Sequence, residues 1–346
     1  MKFLICGLGS IGQRHIRMLR RVLGDDADIA AYRARNLPIV ISDKLDATFD
    51  KKPEDYYNIK CFTNFEKALS WKPDAVFVTN PISMHLQTAI AAARAGCHIF
   101  IEKPLANEEQ GVGELMEIIQ QKQLICVVGY QLRYHPAYIK IRELLAQNTL
   151  GALTSADLHF GEWLPGMHPY EDYRDSHAAR KEQGGGVILC LSHEIDIALW
   201  LFGKPSRVYA AGGQLSDLQM DVEDTADIYL SCINKGREFP VHVHLDFLQK
   251  PARRYIHIVG EKGSLLFNYC TNEFELNLLE QNETKKIVYD QFQRNDMFFH
   301  EVSDFITSIR SRERLNAPSL EEGLLTLQVC IAARESLATK QVKEIK

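Results

Sequence analysis

Residues 2–12 read Lys2-Phe3-Leu4-Ile5-Cys6-Gly7-Leu8-Gly9-Ser10-Ile11-Gly12, a short apolar run that a G-x-G-x-x-G motif follows at once. Apolar residues then recur at helical spacing, at Ile11, Ile16, Leu19, Val22 and Leu23. A strand, a glycine motif and a helix in this order are typical of the turn that binds the diphosphate of a dinucleotide. The stretch therefore predicts a parallel α/β fold with a dinucleotide at its first turn.

Each of the three glycines in the turn has a predicted structural role. Gly7 permits a tight turn, Gly9 lets the backbone approach a diphosphate, and Gly12 lets the helix pack closely on the strand. The diphosphate would lie at the helix N-terminus, where free N–H groups and the helix dipole favour negative charge. The predicted cofactor contacts in this turn are Gly7, Gly9, Ser10, Ile11 and Gly12.

The composition limits the class of protein. A chain of 346 residues is long enough for two domains, since single cores rarely exceed ~250–300 residues. A formal net charge of -5 gives no electrostatic reason to expect nucleic acid or an anionic membrane as a partner. The eight cysteines are scattered without a C-x-x-C pair, which favours reduced core thiols over disulfides or a zinc site. We therefore predict a cytoplasmic protein without a metal ligand set, a signal peptide or a membrane span.

The first third of the chain alternates strand and helix patterns, which predicts a parallel sheet with right-handed crossovers. Predicted strands after the first cover 28–32, 58–62, 74–79, 98–101 and 124–129, with helices at 64–70, 84–95 and 108–120. Such sheets bind ligands outside the carboxyl ends of their strands. The candidate cofactor contacts at those ends are Tyr32, Arg33, Arg35, Thr79, Asn80, Pro81, Glu102, Lys103 and Gln131.

The pattern changes after about residue 130. Period-two stretches predict a mostly antiparallel sheet, with strands at 155–160, 207–212, 225–232, 240–247, 255–259, 264–268, 273–279 and 286–289. Helices fit 136–147, 192–201, 297–312 and 320–338. We predict a Rossmann domain over 1–128 and an α+β domain with a large open sheet over 129–346. The last helix is a candidate to pack back on the first domain.

Two further stretches carry chemistry. Lys103, in Phe100-Ile101-Glu102-Lys103-Pro104, would lean over the nicotinamide end of a dinucleotide, although a surface lysine before a proline turn is the simpler alternative. His193 and Asp196 follow a run of three glycines and share a helix face at a spacing of three. The simpler alternative for His193 is a core histidine at a helix start. It is not part of a zinc-protease H-E-x-x-H motif, because residue 197 is isoleucine.

In combination these motifs resemble the glucose–fructose oxidoreductase/inositol dehydrogenase/rhizopine-catabolism (Gfo/Idh/MocA) family over essentially the whole chain. The matching motifs are, in order, Gly7-x-Gly9-x-x-Gly12, Thr79-Asn80-Pro81 with His85, Glu102-Lys103-Pro104, Arg133 with Pro136, Gly184–Gly186 leading to His193-x-x-Asp196, and Gly260-Glu261-Lys262-Gly263. A single motif of this kind could be coincidental, whereas six in order are specific.

The resemblance implies reversible hydride transfer between a nicotinamide cofactor and a hydroxyl-bearing carbon of a sugar or cyclitol. It implies that His193 takes the hydroxyl proton, that Lys103 stabilises the charge on the oxygen, and that Asp196 orients the imidazole or binds a neighbouring hydroxyl. It adds His85 to the cofactor contacts. It also implies a homodimer or homotetramer, because the open sheet of this family commonly pairs between subunits.

One position departs from the family pattern. Relatives commonly carry an aspartate just before the histidine, where this chain has Cys190. A thiol is a poor orienting group and is mostly uncharged near pH 7. Three interpretations stay open: Asp196 takes over the orienting role, the enzyme is slow or acts on an unusual substrate, or the protein is a dinucleotide-binding sensor without turnover.

The sequence favours NADP(H) over NAD(H). An acidic residue about twenty positions after the glycine turn usually binds the ribose 2′-hydroxyl of NAD, whereas an arginine accommodates the 2′-phosphate of NADP. Here the position is Tyr32, with Arg33 and Arg35 beside it and no carboxylate. Arginines also stack on adenine without selecting a cofactor.

The substrate would lie between the ends of the parallel strands and the second domain. Aromatic side chains stack on sugar faces, while arginine and histidine bind hydroxyls or a carboxylate. Besides His193, the candidate contacts are Arg133, Trp163, His168, Tyr173, Arg174, Cys190, Asp246 and Arg253. The substrate class stays open among sugars, sugar acids, nucleotide-sugars and cyclitols.

Overall fold

The computed structural model describes residues 1–34, 37–281 and 283–345. In the first half of the chain the strands are β1 (Lys2–Cys6), β2 (Asp28–Tyr32), β3 (Ile39–Ile41), β4 (Ala47–Phe49), β5 (Lys60–Phe62), β6 (Ala75–Val78), β7 (His98–Glu102) and β8 (Cys126–Gly129). The helices there are α1 (Ser10–Leu23), α2 (Pro53–Tyr57), α3 (Phe65–Ser70), α4 (His85–Arg94) and α5 (Val112–Lys122).

The first sheet has the strand order β5-β2-β1-β6-β7-β8, and its pairings are parallel. Its central strands are apolar and buried on both faces, as in β6 (Ala75–Val78), which is why they read as continuous apolar runs. The strand order changes direction at β1 and β6, where an open α/β sheet leaves a crevice for ligands. The predicted Rossmann fold is therefore confirmed.

The second half of the chain continues with α6 (Pro136–Ala146), β9 (Leu153–Gly161), α7 (Leu164–Met167), α8 (Val187–Cys190), α9 (His193–Phe202), β10 (Arg207–Gly213), β11 (Thr225–Asn234), β12 (Arg237–Asp246), β13 (Arg253–Gly260), β14 (Gly263–Asn268), β15 (Glu273–Leu278), β16 (Glu283–Val288), α10 (Arg294–Ser311), α11 (Leu320–Thr339) and β17 (Lys343–Glu344). Short 3₁₀ turns occupy much of the segment 173–183.

The second sheet has the order β16-β15-β14-β13-β9-β12-β11-β10-β17. Only the β9–β12 pairing is parallel among those described, so the predicted open, mostly antiparallel sheet is confirmed. Side chains alternate between its two faces. Leu158 and Val243 lie on the inner face in one core with Ile195 of α9, whereas the outer face carries half-buried histidine, aspartate and tyrosine side chains.

The two C-terminal helices return to the first sheet. Phe305 of α10 packs edge-on against Phe77 and Phe100, with ring centroids 5.5 Å and 5.6 Å apart. At the start of α11, Val128 N–H donates to the Pro318 carbonyl at 3.0 Å, and Gly323 leaves room for the Val128 side chain. Residues from the end of the sequence thus complete the core of the N-terminal sheet.

No single helix in the described ranges has the length and hydropathy needed to cross a bilayer. The segments Lys181–Cys190 and His193–Phe202 meet that requirement only as a pair, with a 50° bend between them. Most residues of His193–Phe202 are buried in the protein core.

Candidate active site

The glycine turn after β1 contains three glycines. Gly7 and Gly12 pack closely against protein backbone, whereas the space beside Gly9 is empty. Gly7 has φ +111°, and a Cβ there would lie 2.7 Å from the Thr79 carbonyl oxygen. A Cβ on Gly12 would overlap the Gly7 carbonyl oxygen, whereas a Cβ on Gly9 would meet nothing within 4 Å. Because α1 starts after Gly9 with no side-chain cap and no acidic residue in its first turn, its N–H groups suit an anion.

This difference predicts opposite outcomes for two alanine substitutions. Gly12→Ala should lower the free energy of unfolding by about 1–3 kcal/mol, because its methyl group must displace backbone. Gly9→Ala should leave the thermal midpoint unchanged but weaken dinucleotide binding roughly 5–150-fold, since the same overpacking would fall on the ligand. Thermal unfolding and fluorescence titration with NADH and NADPH measure the two effects. Equal cofactor affinity in Gly9→Ala and wild type would contradict the assignment.

The ends of β6 and β7 are tied to this turn. The Thr79 hydroxyl donates to the Gly7 carbonyl oxygen at 2.8 Å, and the Asn80 amide donates to the Thr88 hydroxyl at 2.8 Å. His85 is buried with its two ring nitrogens 2.9 Å from the carbonyl oxygens of Asn80 and Pro104. His85 therefore fixes two loops against each other instead of offering a free nitrogen to a cofactor. Pro81 leads from Asn80 into the short turn before α4.

Glu102 is anchored by a residue that the sequence analysis missed. His15 of α1 lies with its Nε2 2.6 Å from Glu102 Oε1, and both side chains are buried. The contact locks the first helix to the end of β7, directly before Lys103. No spacing rule pairs two residues that lie 87 positions apart.

Lys103 connects the two halves of the protein. Its ammonium donates to the Cys190 carbonyl oxygen of α8 at 2.6 Å, and burial lowers its pKa. Cys190 itself contributes this backbone oxygen, while burial raises the pKa of its thiol to about 12. The thiol is therefore neutral near pH 7.

His193 is the first residue of α9, three residues after Cys190, whose carbonyl oxygen binds Lys103. Its side chain is 5% exposed, and its Nδ1 is buried without a hydrogen-bond partner in the described part of the chain. Burial, then the positive charges of Lys103 and Arg254, hold its pKa well below the ordinary value. A neutral imidazole with an unused nitrogen can accept a proton from a bound molecule.

The three glycines before α8, Gly184–Gly186, leave room for a neighbouring segment of backbone. A Cβ on Gly185 would lie 2.5 Å from the His177 carbonyl oxygen, so the glycines admit the 177–180 turn. That turn carries His177, a second neutral histidine that sequence reasoning overlooked. Burial, His168 and Lys103 lower its pKa to about 4.

Asp196 does not contact the imidazole. Both of its carboxylate oxygens accept from Arg133, at 3.0 Å from Nε and 2.7 Å from Nη2, and Arg133 also binds Glu322 at 2.6 Å. The guanidinium fork takes both oxygens in a buried pair. The structure therefore pairs Asp196 with Arg133 and not with His193, despite the helix face that Asp196 and His193 share. The predicted contacts of Asp196 and Arg133 with substrate stay predictions.

The other predicted substrate contacts are dispersed. Trp163 is partly exposed beneath the Lys250 ammonium, 4.8 Å from the ring centroid, and His168 binds Glu171 at 2.9 Å. The Tyr173 hydroxyl accepts from Gln219 N–H at 3.1 Å, and exposed Arg174 pairs with Asp172. All four predicted residues lie in the segment 163–174. The structure brings none of them into hydrogen bonding with Lys103 or His193.

Asp246 and Arg253 lie on the outer face of the large sheet, away from His193. The Asp246 carboxylate binds His244 at 2.9 Å, and Arg253 is exposed. The next residue, Arg254, points inward and donates to Glu194 at 2.6 Å, stacked 4.3 Å from the Phe160 ring. Side chains alternate between the two faces along β13. Arg254 is in phase with the inward Ile256 and Ile258, so the pattern places Arg254, and not Arg253, on the inner face.

At the end of β2, Arg33 is already paired. Its Nη2 donates to both oxygens of Glu54, at 2.7 Å and 2.6 Å, and its Nη1 donates to the Leu37 carbonyl oxygen. The Tyr32 ring packs against Phe65 in a tilted arrangement, with ring centroids 5.1 Å apart. A carboxylate therefore does stand at this strand end, supplied by α2. Arg35, the second predicted arginine, lies outside the described residues.

Gln131 completes the set of strand-end residues. It follows β8, is 7% exposed, and has a buried Oε1 without a partner in the described ranges. Nδ1 of His193 is likewise buried and without a partner there.

Comparison with known proteins identifies the family and the fold of the chain. A model described as "Oxidoreductase family, NAD-binding Rossmann fold" matches residues 1–130, and the GFO/IDH/MocA C-terminal domain model matches residues 138–266. The chain is 29% identical to an uncharacterised oxidoreductase of Synechocystis sp. over 59% of this chain and 57% of that protein. It is 26% identical to myo-inositol 2-dehydrogenase of Thermotoga maritima over 99% of this chain and 97% of that protein. A levoglucosan dehydrogenase solved with NADH superposes with a TM-score of 0.84 at 18% identity, covering 100% of this chain and 99% of that one.

Proposed function

Since the chain belongs to the Gfo/Idh/MocA family of oxidoreductases, we propose that it transfers hydride between a nicotinamide cofactor and a hydroxyl-bearing carbon of a sugar, sugar acid, nucleotide-sugar or cyclitol. The observation that carries the proposal is the contact of Lys103 with the backbone just before His193. The lysine ammonium binds the carbonyl of Cys190, three residues before a buried neutral histidine with an unused nitrogen.

The residues present fit a nicotinamide dinucleotide. Gly9 is open to a ligand, the first turn of α1 is uncapped, and Gln131 offers a buried oxygen without a partner. When bound, the cofactor supplies the hydride acceptor or donor. The chain itself supplies the surfaces that hold it, through the glycine turn and the loops that His85 and Thr79 fix in place.

Lys103 and His193 then carry out the proton transfer and stabilise the charge on the substrate oxygen. In the oxidation direction, the imidazole takes the hydroxyl proton of the substrate, and the ammonium stabilises the negative charge that grows on the oxygen. Burial strengthens this interaction, because an ammonium in a low-dielectric site acts more strongly than one in water. In the reduction direction the same groups return the proton to the carbonyl oxygen.

A spectrophotometric screen at about 340 nm with sugars, sugar acids, inositols and nucleotide-sugars tests the proposal. We expect turnover with at least one of these classes and its loss in the Lys103 and His193 variants described below. The second candidate is a dinucleotide-binding sensor, which the neutral Cys190 thiol favours. Tight cofactor binding without turnover on any class would support the sensor. A gain of turnover in Cys190→Asp would identify a weakened enzyme.

We further propose that the cofactor is NADP(H), with Arg33 as the binder of the 2′-phosphate. The phosphate would compete with Glu54 for the guanidinium, so Glu54 should oppose NADP(H) binding. Arg33→Ala should weaken NADPH binding ~10–100-fold and spare NADH, since a hydrogen bond to a charged group contributes about 1.5–3 kcal/mol. Glu54→Gln should tighten NADPH binding. Equal loss of both cofactors in Arg33→Ala, or tighter NADH binding to wild type than NADPH, would reject the clamp.

The proposal extends to assembly and location. A homodimer or homotetramer through the outer face of the large sheet is supported by the exposed Tyr229 and the half-buried His242 on that face. Light scattering of wild type and a Tyr229→Glu variant tests it.

A cytoplasmic location is supported by the eight free thiols, of which Cys270 is exposed.

A further inference from the structure

Three metal-ligating atoms converge on the outer face of the large sheet, on the opposite side of it from His193. His159 of β9 and both His244 and Asp246 of β12 each place one ligand atom within 4.8 Å of the other two. The sheet creates this arrangement: β9 and β12 pair in parallel register with His159 opposite His244, and Asp246 follows two positions later on the same face. The imidazoles stack with centroids 4.6 Å apart.

An amide nitrogen lies between two of these three groups. Gln249 Nε2 lies 2.8 Å from His159 Nε2 and also donates to Asp246 Oδ2. His244 Nε2 lies 2.9 Å from the same carboxylate oxygen. A cation at this place would replace both the Gln249 amide and the Nε2 proton that His244 donates to Asp246. Rotation of the Gln249 amide would then bring its oxygen in as a fourth ligand.

Both histidine rings are held in the orientation that a metal ion needs. His244 Nδ1 contacts Asp227 Oδ1 at 2.7 Å, the outer partner typical of a metal-binding imidazole, which directs Nε2 toward the cluster. His159 is clamped on its other side by Tyr255, whose ring is stacked 5.0 Å away. The cluster opens into a depression of about 460 Å³ that is also lined by Asp157, His242 and His257.

We propose that His159, His244 and Asp246 form a binding site for a divalent transition-metal ion, with zinc as the best-suited ion. Two imidazoles and a carboxylate match the ligand preferences of zinc, whereas magnesium and calcium favour sites built of oxygen alone. All three ligands come from one chain, on the face of the sheet that is also proposed above for subunit pairing. It is a site apart from the dehydrogenase chemistry. The sequence does not reveal it because His159 of β9 lies 85 residues before His244 of β12.

The test uses the tag-free full chain, stripped with EDTA and titrated with Co(II) and Zn(II) by absorption spectroscopy and calorimetry. We expect one equivalent per chain and a Co(II) d–d band. His159→Ala and His244→Ala should each weaken binding by more than the ~10–100-fold that loss of an outer partner costs. His257→Ala, on the same face but outside the ligand set, should bind like wild type. Thermal midpoints and NADH binding verify that the variants are folded.

Gln249→Glu provides a gain-of-affinity control. It places an anionic ligand where the amide now lies, and it should tighten Zn(II) binding. The proposal is overturned if the wild-type chain binds neither ion, or if His159→Ala and His244→Ala bind as wild type does. It is also overturned if His257→Ala loses binding to the same extent, because the ions would then be held by scattered surface histidines. Failure here leaves the proposed dehydrogenase untouched, since its residues lie on the other side of the sheet.

Discussion

Lys103→Met should lower kcat about 10²–10³-fold, the loss that follows removal of one charge-stabilising donor from a reacting oxygen. Methionine resembles lysine in length and fills the same space, so the fold should persist. The variant also removes a charge that burial disfavours, as the lowered pKa of Lys103 indicates. Steady-state rates with the substrate found in the screen, together with NADH and NADPH titrations, measure the effect.

The matched controls separate charge from geometry. Lys122→Met changes an exposed lysine of α5, whose ammonium binds a backbone carbonyl, and it should leave kcat unaltered. Lys103→Arg keeps the charge but replaces a compact ammonium with a planar fork, so it should rescue only a small part of the rate. Full activity in Lys103→Met would remove this residue from the mechanism. Loss of cofactor binding with kcat unchanged would reassign it to binding alone.

His193→Ala should lower kcat about 10²–10⁴-fold, the range for loss of a general base, without weakening dinucleotide binding. The pH dependence adds a second readout. Because burial and then Lys103 hold the His193 pKa well below 6.5, the imidazole stays neutral through the physiological range. The rate of oxidation should therefore be flat near neutrality and fall only on the acid side of pH 6.5, where the imidazole gains its proton.

That acid limb should disappear in His193→Ala, and added imidazole should restore part of its rate. His300→Ala, which removes an exposed histidine of α10, serves as the control. An acid limb that is unchanged in His193→Ala would show that another group, such as His177, accepts the proton. Unchanged kcat in the variant would exclude the assigned role.

The sequence predicted the parallel core well, for a physical reason. Strands buried on both faces read as unbroken apolar runs, and the residues that follow them gather at one edge of the sheet. Lys103 could thus be placed from its position after β7. The β3–β4 hairpin and the helices α7 and α8 were missed, because strands of three residues and helices of four are too short to show a period.

Sequence patterns could not predict the ion-pair partners of the site residues. Arg133 binds Asp196 across 63 residues, and Arg33 binds Glu54 across 21. From the sequence, each arginine was predicted to bind a ligand, because the carboxylate that pairs with it comes from a different helix or strand. Spacing identifies which side chains share a face, but only the packed structure shows which charges neutralise each other. The domain boundary at 128/129 stays a prediction.

The return of α10 to the first sheet has a consequence during protein synthesis. Phe298, Val302 and Phe305 share one core with Phe77 and Phe100, although more than half of the chain separates them. A ribosome that has released the first 130 residues has therefore not released the side chains that close this core. The nascent Rossmann half must keep an aromatic surface exposed until translation passes residue 305, which makes it a candidate client for chaperones.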